Sequence, residues 1–184
     1  MTRILAISGS LRRLSHNTGL LRAAAEHAPE GVTIELYDGL ESLPPFNEDR
    51  EQDPGAVVED LRRRIKQADA LLFATPEYNT TMPGQIKQVV DWGSRPYGPE
   101  AALYGKPAAV IGASKTDYGA IWAQDHLRKA LALAGARVTE VELPVGGAAS
   151  KFDQTGKLTD PETIARIEEI VSALADHHRS LVAA

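Results

Sequence analysis

A chain of 184 residues with an apolar fraction of 43% can fill one domain's core, and 25 acidic against 20 basic residues, without a long run of either sign, leave no footprint of a nucleic-acid or membrane-surface binder. The absence of cysteine removes disulfides, thiolate metal sites and a cysteine nucleophile. No stretch approaches membrane-spanning length, and no charged leader or apolar h-region precedes the first apolar run at residue 3, so a cytoplasmic protein is expected.

Arg3–Ile7 is too short for a helix and suits a buried strand, while Leu20, Leu21, Ala24 and Ala28 lie along one face of a following helix. The stretch between them, Ile7 to Thr18, is a strand-to-helix turn. It offers hydroxyls at Ser8, Ser10, Ser15 and Thr18, the amide of Asn17, two guanidinium groups and a helix N-terminus, which together make a phosphate seat. The same residues also fit a plain helix cap at Asn17 or Thr18, with Gly9 only turning the chain.

Gly31 breaks the pattern, and Val32–Tyr37 alternates as a strand does. A long polar connection, 38–54, carries Leu43-Pro44-Pro45-Phe46-Asn47 at its centre; loops of this length in compact domains are often functional. Val57, Leu61 and Ile65 then mark a helix over Ala56–Gln67. Ala70–Ala74 is apolar throughout, as befits a strand covered on both faces. After the turn Thr75–Gly84 comes a helix with Ile86, Val89, Val90 and Trp92, with Pro83 in its first turn and its end near Gly93.

Ser94–Pro99 is irregular, Ala108–Gly112 is a fourth strand, and a helix from about Ala120 turns Leu127, Leu131 and Ala134 inward before Gly135. The fifth strand spans Arg137–Leu143, and a last helix from about Pro161 carries Ile164, Ile167, Ile170, Val171 and Leu174. Strand and helix alternate five times, which predicts one α/β domain over 1–184 with a parallel sheet and helices on both faces. Five strands fit the flavodoxin-like order 2-1-3-4-5, a three-layer sandwich with ligand loops after strands one, three and four.

Several motifs fail on spacing. Lys115-Thr116 follows a strand, but Ser114 and Ala109 stand where a P-loop needs glycine. Gly9 lacks a second glycine two residues on, so the dinucleotide fingerprint is absent, and there is no Gly-x-Ser-x-Gly elbow. His16, His27, His126, His177 and His178 show no zinc-protease spacing, and Asp125-His126 fits an exposed helical face; no metal is expected.

Three turns taken together carry a resemblance: Gly9-Ser10-Leu11-Arg12-x-x-Ser15-x-Asn17, Leu43-Pro44-x-Phe46-Asn47, and Thr75-Pro76-Glu77-Tyr78-Asn79-x-x-x-Pro83-Gly84-x-x-Lys87-x-x-x-Asp91-Trp92. With Ser94-Arg95-Pro96, Gly105-Lys106-Pro107, Gln124-x-x-Leu127-Arg128 and Phe152-Asp153-x-x-Gly156-x-Leu158-x-Asp160 in the same order, the chain resembles the NADPH-dependent FMN reductase family, which includes bacterial quinone and chromate reductases.

The resemblance implies non-covalent FMN, with Ser10, Arg12, Ser15, Asn17 and Thr18 at the phosphate. Pro76, Glu77, Tyr78 and Asn79 would line the isoalloxazine edge, and Gly112, Ala113 and Ser114 would let the backbone approach the ring. It implies an enzyme in which NADPH or NADH is the co-substrate and no side chain acts as nucleophile. The acceptor is most readily a quinone, with free flavin, azo dyes and chromate as further candidates.

Lys115-Thr116-Asp117 replaces part of the family's glycine-bearing loop, and Trp122 stands where arginine is common, which bears on acceptor and nicotinamide more than on FMN. A homodimer or homotetramer is implied, with the helix bearing Val89, Val90 and Trp92 and the following Arg95-Pro96-Tyr97 as the candidate interface. The alternative from another class is a flavodoxin-type electron carrier that binds FMN without oxidising NAD(P)H; Arg12 and the mild acidity of the chain speak against it.

Overall fold

The computed structural model describes residues 1–182, so the last two positions of the expected domain lie outside the described residues. The elements are β1 Thr2–Ser8, α1 His16–Glu26, β2 Val32–Leu36, α2 Ala56–Gln67, β3 Ala70–Thr75, α3 Gly84–Gly93, β4 Pro107–Ala113, α4 Ile121–Leu133, β5 Arg137–Val138, β6 Pro144–Val145 and α5 Pro161–Val182. All strand pairings are parallel, in the order β2-β1-β3-β4-β5, with β6 also on β4.

The period of two along each strand divides the core. Ile4, Ala6, Leu72, Ala74 and Ile111 point to one face and pack with α1 and α5 through Leu20, Leu21, Ile167, Ile170, Val171 and Leu174. Leu5, Ile7, Leu71, Phe73 and Val110 point to the other and meet Leu61 and Ile65 of α2, Ile86, Val89 and Trp92 of α3, and Leu127 and Leu131 of α4. Burial on both faces is why β3 and β4 tolerate no polar residue before their ends. Each fully buried branched or aromatic side chain contributes about 1.5–3 kcal/mol.

Three expectations change. The cap of α1 is Ser15, whose hydroxyl accepts from Thr18 N–H, rather than Asn17 or Thr18. On α2 the buried stripe runs through Val58, Leu61 and Ile65, leaving Val57 at the surface. Pro83 is the N-cap of α3, one residue before its first turn. On α3, Val89, Val90 and Trp92 are buried in the core as the helical pattern predicts, and the Trp92 indole donates to Pro44 O at 2.8 Å.

The fifth strand is the largest departure. Val138 pairs with Ala108 and Pro144 with Gly112, so the five residues 139–143 run alongside only three of β4, 109–111. Thr139 N–H still donates to Ala108 O and Leu143 O still accepts from Gly112 N–H, so the surplus pushes 140–142 out as a bulge and separates β5 from β6. Arg128 steadies the bulge by donating to Val141 O at 2.8 Å.

The 38–54 connection forms two 3₁₀ turns, Leu40–Ser42 and Glu48–Arg50, and is tied to α3 by side chains. Gln85 donates to Leu40 O and Leu43 O, and Gln88 accepts from Phe46 N–H. The strap therefore fixes α3, and with it the loop that precedes α3.

Candidate functional site

The carboxyl ends of β1, β3 and β4 lie side by side, and their loops enclose an open cleft of about 180 Å³. The β1 loop contributes Ser10, Arg12, Ser15, His16 and Asn17; the β3 loop Pro76, Glu77 and Tyr78; the β4 loop Ala113, Ser114 and Lys115. Clefts that enclose whole drug-sized ligands run to roughly 300–1,000 Å³, so a nucleotide-sized ligand here has one end seated and the other open to solvent.

The hydroxyls of the first loop build the loop itself. Ser8 Oγ shares a hydrogen bond with Thr18 Oγ1 at 2.8 Å and accepts from Ser10 N–H, and Ser10 Oγ accepts from Arg12 N–H. Gly9 is required by space: a Cβ there would stand 3.0 Å from the Ile86 side chain and 3.2 Å from Pro76. Asn17 is 3% exposed, and its amide is committed to β4, donating to Ala113 O at 3.0 Å and accepting from Ala113 N–H at 2.9 Å. Its side chain thus locks the first loop to the third, leaving its backbone N–H, in the first turn of α1, as the group able to meet a ligand.

Glu77 also has a structural partner, since its carboxylate accepts from Ala123 N–H at 3.2 Å in the first turn of α4. That places negative charge at a helix N-terminus, where it is favourable. The β4 loop is stitched to β6 and the segment after it by Ser114 N–H to Val145 O, Gly147 N–H to Thr116 O and Ala148 N–H to Ser114 O. Gly119, at φ +58°, lets this loop pass so close to Pro144 that a Cβ would sit 2.3 Å from its carbonyl carbon.

Of the twelve sequence-predicted positions, nine line the cleft. Thr18 lies behind the loop, lining a neighbouring hollow with Ser8, Ser10 and Tyr37. Gly112 is buried within β4, where a Cβ would meet Thr75 O at 2.9 Å, and so permits close β3–β4 packing. Asn79 is in the left-handed region at φ +52°, in the exposed turn closed by the Tyr78–Thr81 bridge, away from the lining.

Two cleft residues escaped sequence reading, His16 and Lys115. His16 sits between two expected phosphate residues without itself matching a ligand motif, and Lys115 belongs to the loop that departs from the family's glycine-bearing pattern. Trp122 is partly exposed and pairs with Tyr118 at 4.9 Å between ring centroids, so it is not a core residue. Asp125 bonds Lys129 and His126 meets Thr81 Oγ1, both on the surface of α4.

Electrostatically the cleft is built for an anion. Among the described residues neither Arg12 nor Lys115 forms an ion pair, the first turn of α1 has no acid, and the carboxylate in the lining, Glu77, is engaged by α4. His16 Nδ1 is shielded from solvent with no hydrogen-bond partner, and burial first, then Arg12 and Lys115, hold its pKa below the usual imidazole value. An orphaned nitrogen, two unpaired cations and free helix N–H groups fit a phosphate. No group of three or more histidines or carboxylates able to hold a metal occurs among the described residues, and no helix is long and apolar enough to cross a membrane.

Comparison with known proteins agrees with this chemistry. The profile of NADPH-dependent FMN reductases matches residues 2–150. An NAD(P)H-dependent FMN reductase of Pseudomonas aeruginosa is 42% identical over 174 residues, covering 94% of this chain and 92% of its own. A quinone reductase of Pseudomonas putida is 38% identical over 159 residues, covering 85% and 84%. The solved structure of the flavoenzyme NAD(P)H:(acceptor) oxidoreductase from Paracoccus denitrificans superposes with a TM-score of 0.87 at 34% identity over 98% of each chain. A chain matched by this profile over residues 2–150, and 38–42% identical to such relatives over most of its length, belongs to the NADPH-dependent FMN reductase family.

Proposed function

We propose that residues 1–184 form one FMN-binding domain that oxidises NADPH or NADH and reduces a small acceptor, a quinone before free flavin, azo dyes or chromate. FMN, when bound, would supply the hydride and electron-transfer chemistry, while the protein binds, orients and shields it. The observation that carries the reading is the anion-seeking cleft at the ends of β1, β3 and β4, the position where open parallel sheets take ligands.

Arg12 meets the phosphate as the charge-assisted donor, with Ser10 and the backbone N–H groups of His16 and Asn17 as fixed donors, the Ser15 N–H being taken by Arg12 O. Asn17 and Thr18 act through positioning, the first by tying α1 to Ala113 and the second by bonding Ser8. Pro76, Glu77 and Tyr78 face Ala113 and Ser114 across the cleft and bound the space for a flat ring. Asn79 holds the β3 turn, and Gly112 keeps β3 and β4 close enough for the ring to reach both loops.

The open side of the cleft would admit the nicotinamide and then the acceptor in turn, and a planar quinone suits such a shared place. A homodimer or homotetramer and a cytoplasmic location belong to the same reading. Light scattering on the eluting protein tests the first; a monomer alone refutes it.

The decisive experiment is an absorbance spectrum of protein reconstituted with FMN and desalted, followed by anaerobic addition of NADPH and then NADH. Retained flavin bleached by either nucleotide supports the reductase, and retained flavin bleached by neither identifies an electron carrier. Folded protein that retains no flavin refutes the site.

A further inference from the structure

We infer that His16 couples flavin-phosphate binding to proton uptake: the phosphate dianion enters the cleft while the imidazole takes one proton from solvent, and this exchange favours FMN over its dephosphorylated form. The inference rests on the FMN reading above and adds a residue which that reading leaves without a task.

His16 is the first residue of α1, between Ser15 and Asn17, and its ring lies tilted by 46° against Phe152 with the centroids 4.7 Å apart. That contact holds the ring beside the cleft. The charged groups around it come from three sides. Arg12 and Arg13, both exposed, belong to its own loop, and Lys115 reaches in from the β4 loop. Glu77, across the cleft, is held by Ala123 N–H.

In the segment bearing Phe152, Lys151 is bonded to Asp160, and Asp153 turns its carboxylate to Thr155 and the Lys157 N–H. No carboxylate among these neighbours is free to stabilise an imidazolium. Without a ligand the ring is therefore neutral at pH 7, with Nδ1 unpartnered.

A phosphomonoester reverses the balance. Its two negative charges enter among Arg12, Lys115 and the N–H groups of α1, and an opposite charge within ~4–6 Å raises a base's pKa by about 1–3 units. The imidazolium then gains the acceptor that the neutral ring lacks. The reaction conserves charge and atoms: one solvent proton adds to the imidazole nitrogen, and no covalent bond to the ligand forms. FMN itself has its second phosphate ionisation near pH 6, so at pH 7 binding of the dianion alone would release only about 0.1 proton.

Isothermal titration of the protein with FMN at pH 7, in buffers of differing ionisation enthalpy, counts the protons exchanged. The expected result is a net uptake of about half a proton or more per FMN in the wild type, and none with riboflavin. From pH 7 to 8.5 the FMN Kd of the wild type rises roughly two- to eightfold, whereas His16→Phe, which keeps a ring against Phe152, shows no uptake and a flat Kd.

FMN binding without proton uptake in the wild type, or equal uptake in a folded His16→Phe, overturns the inference while leaving the flavin site intact. Failure of the folded wild type to bind FMN overturns the flavin reading itself, and the inference with it. Should His16→Phe not fold, the contrast between FMN and riboflavin on the wild type decides by itself.

Discussion

Arg12 and Asn17 stand five residues apart in one loop and do opposite work. Arg12 is exposed and unpaired, so its removal costs the fold little but deprives a phosphate of a charged donor worth about 1.5–3 kcal/mol. Arg12→Ala should raise the FMN Kd roughly ten- to hundredfold with the apoprotein melting point nearly unchanged, as flavin fluorescence quenching and a thermal scan would show. Asn17→Ala should do the reverse.

It strips both hydrogen bonds from the buried Ala113 peptide groups, each orphan costing about 1–3 kcal/mol, so urea unfolding should show a loss of about 2–5 kcal/mol even without flavin. The sequence placed both residues at the phosphate, because residue type and spacing report which groups share a loop and not which partner each has already taken. Asn17 is spent on a strand 96 positions away, which no local pattern displays. His16 was hidden for a related reason. An imidazole announces its role through its neighbours, here Phe152 and Lys115, both distant in the chain.

Elements were legible where one period dominated. β3 and β4 are apolar throughout because both faces are covered, and α2 falls within its expected bounds because a helical stripe, a glycine before it and cations in its last turn agree. The fifth strand was misread as continuous because Val138, Val141 and Leu143 give it a strand-like composition; its break comes from a count of residues against β4 that only pairing reveals.

The start of α5 supplies a test at this scale. Asp160 accepts from Thr163 N–H at 3.0 Å and from its hydroxyl, and pairs with Lys151 at 2.9 Å; these bonds, Thr163's first, hold its pKa down at about 2. The folded value lies below the ordinary 3.8, so its contribution is complete above about pH 4 and is lost as the pH falls through 2. Asp160→Ala should cost about 1 kcal/mol at pH 7, a drop of roughly 2–4 °C in melting point, and the gap to wild type should close as melting is repeated from pH 4 downward.

For the molecule as a whole, the cleft joins three loops that come from distant parts of the sequence, so a ligand seated there binds the folded state alone. At a free concentration 100 times its Kd, FMN should stabilise the fold by about 2.7 kcal/mol. A domain of this size gains about 2–4 °C per kcal/mol, so differential scanning should show a rise of roughly 5–11 °C, and riboflavin at the same concentration a smaller one.

The split fifth strand bears on something else, the company the sheet keeps. A straight edge from Arg137 to Leu143 would present an open row of amides to any passing strand. Here the row is cut after two residues, Glu140 and Glu142 project from the bulge, and the Val141 carbonyl is already taken by Arg128. An incoming strand would find no ladder to extend and two carboxylates to bury, so this end of the sheet resists fibrous self-association at high protein concentration.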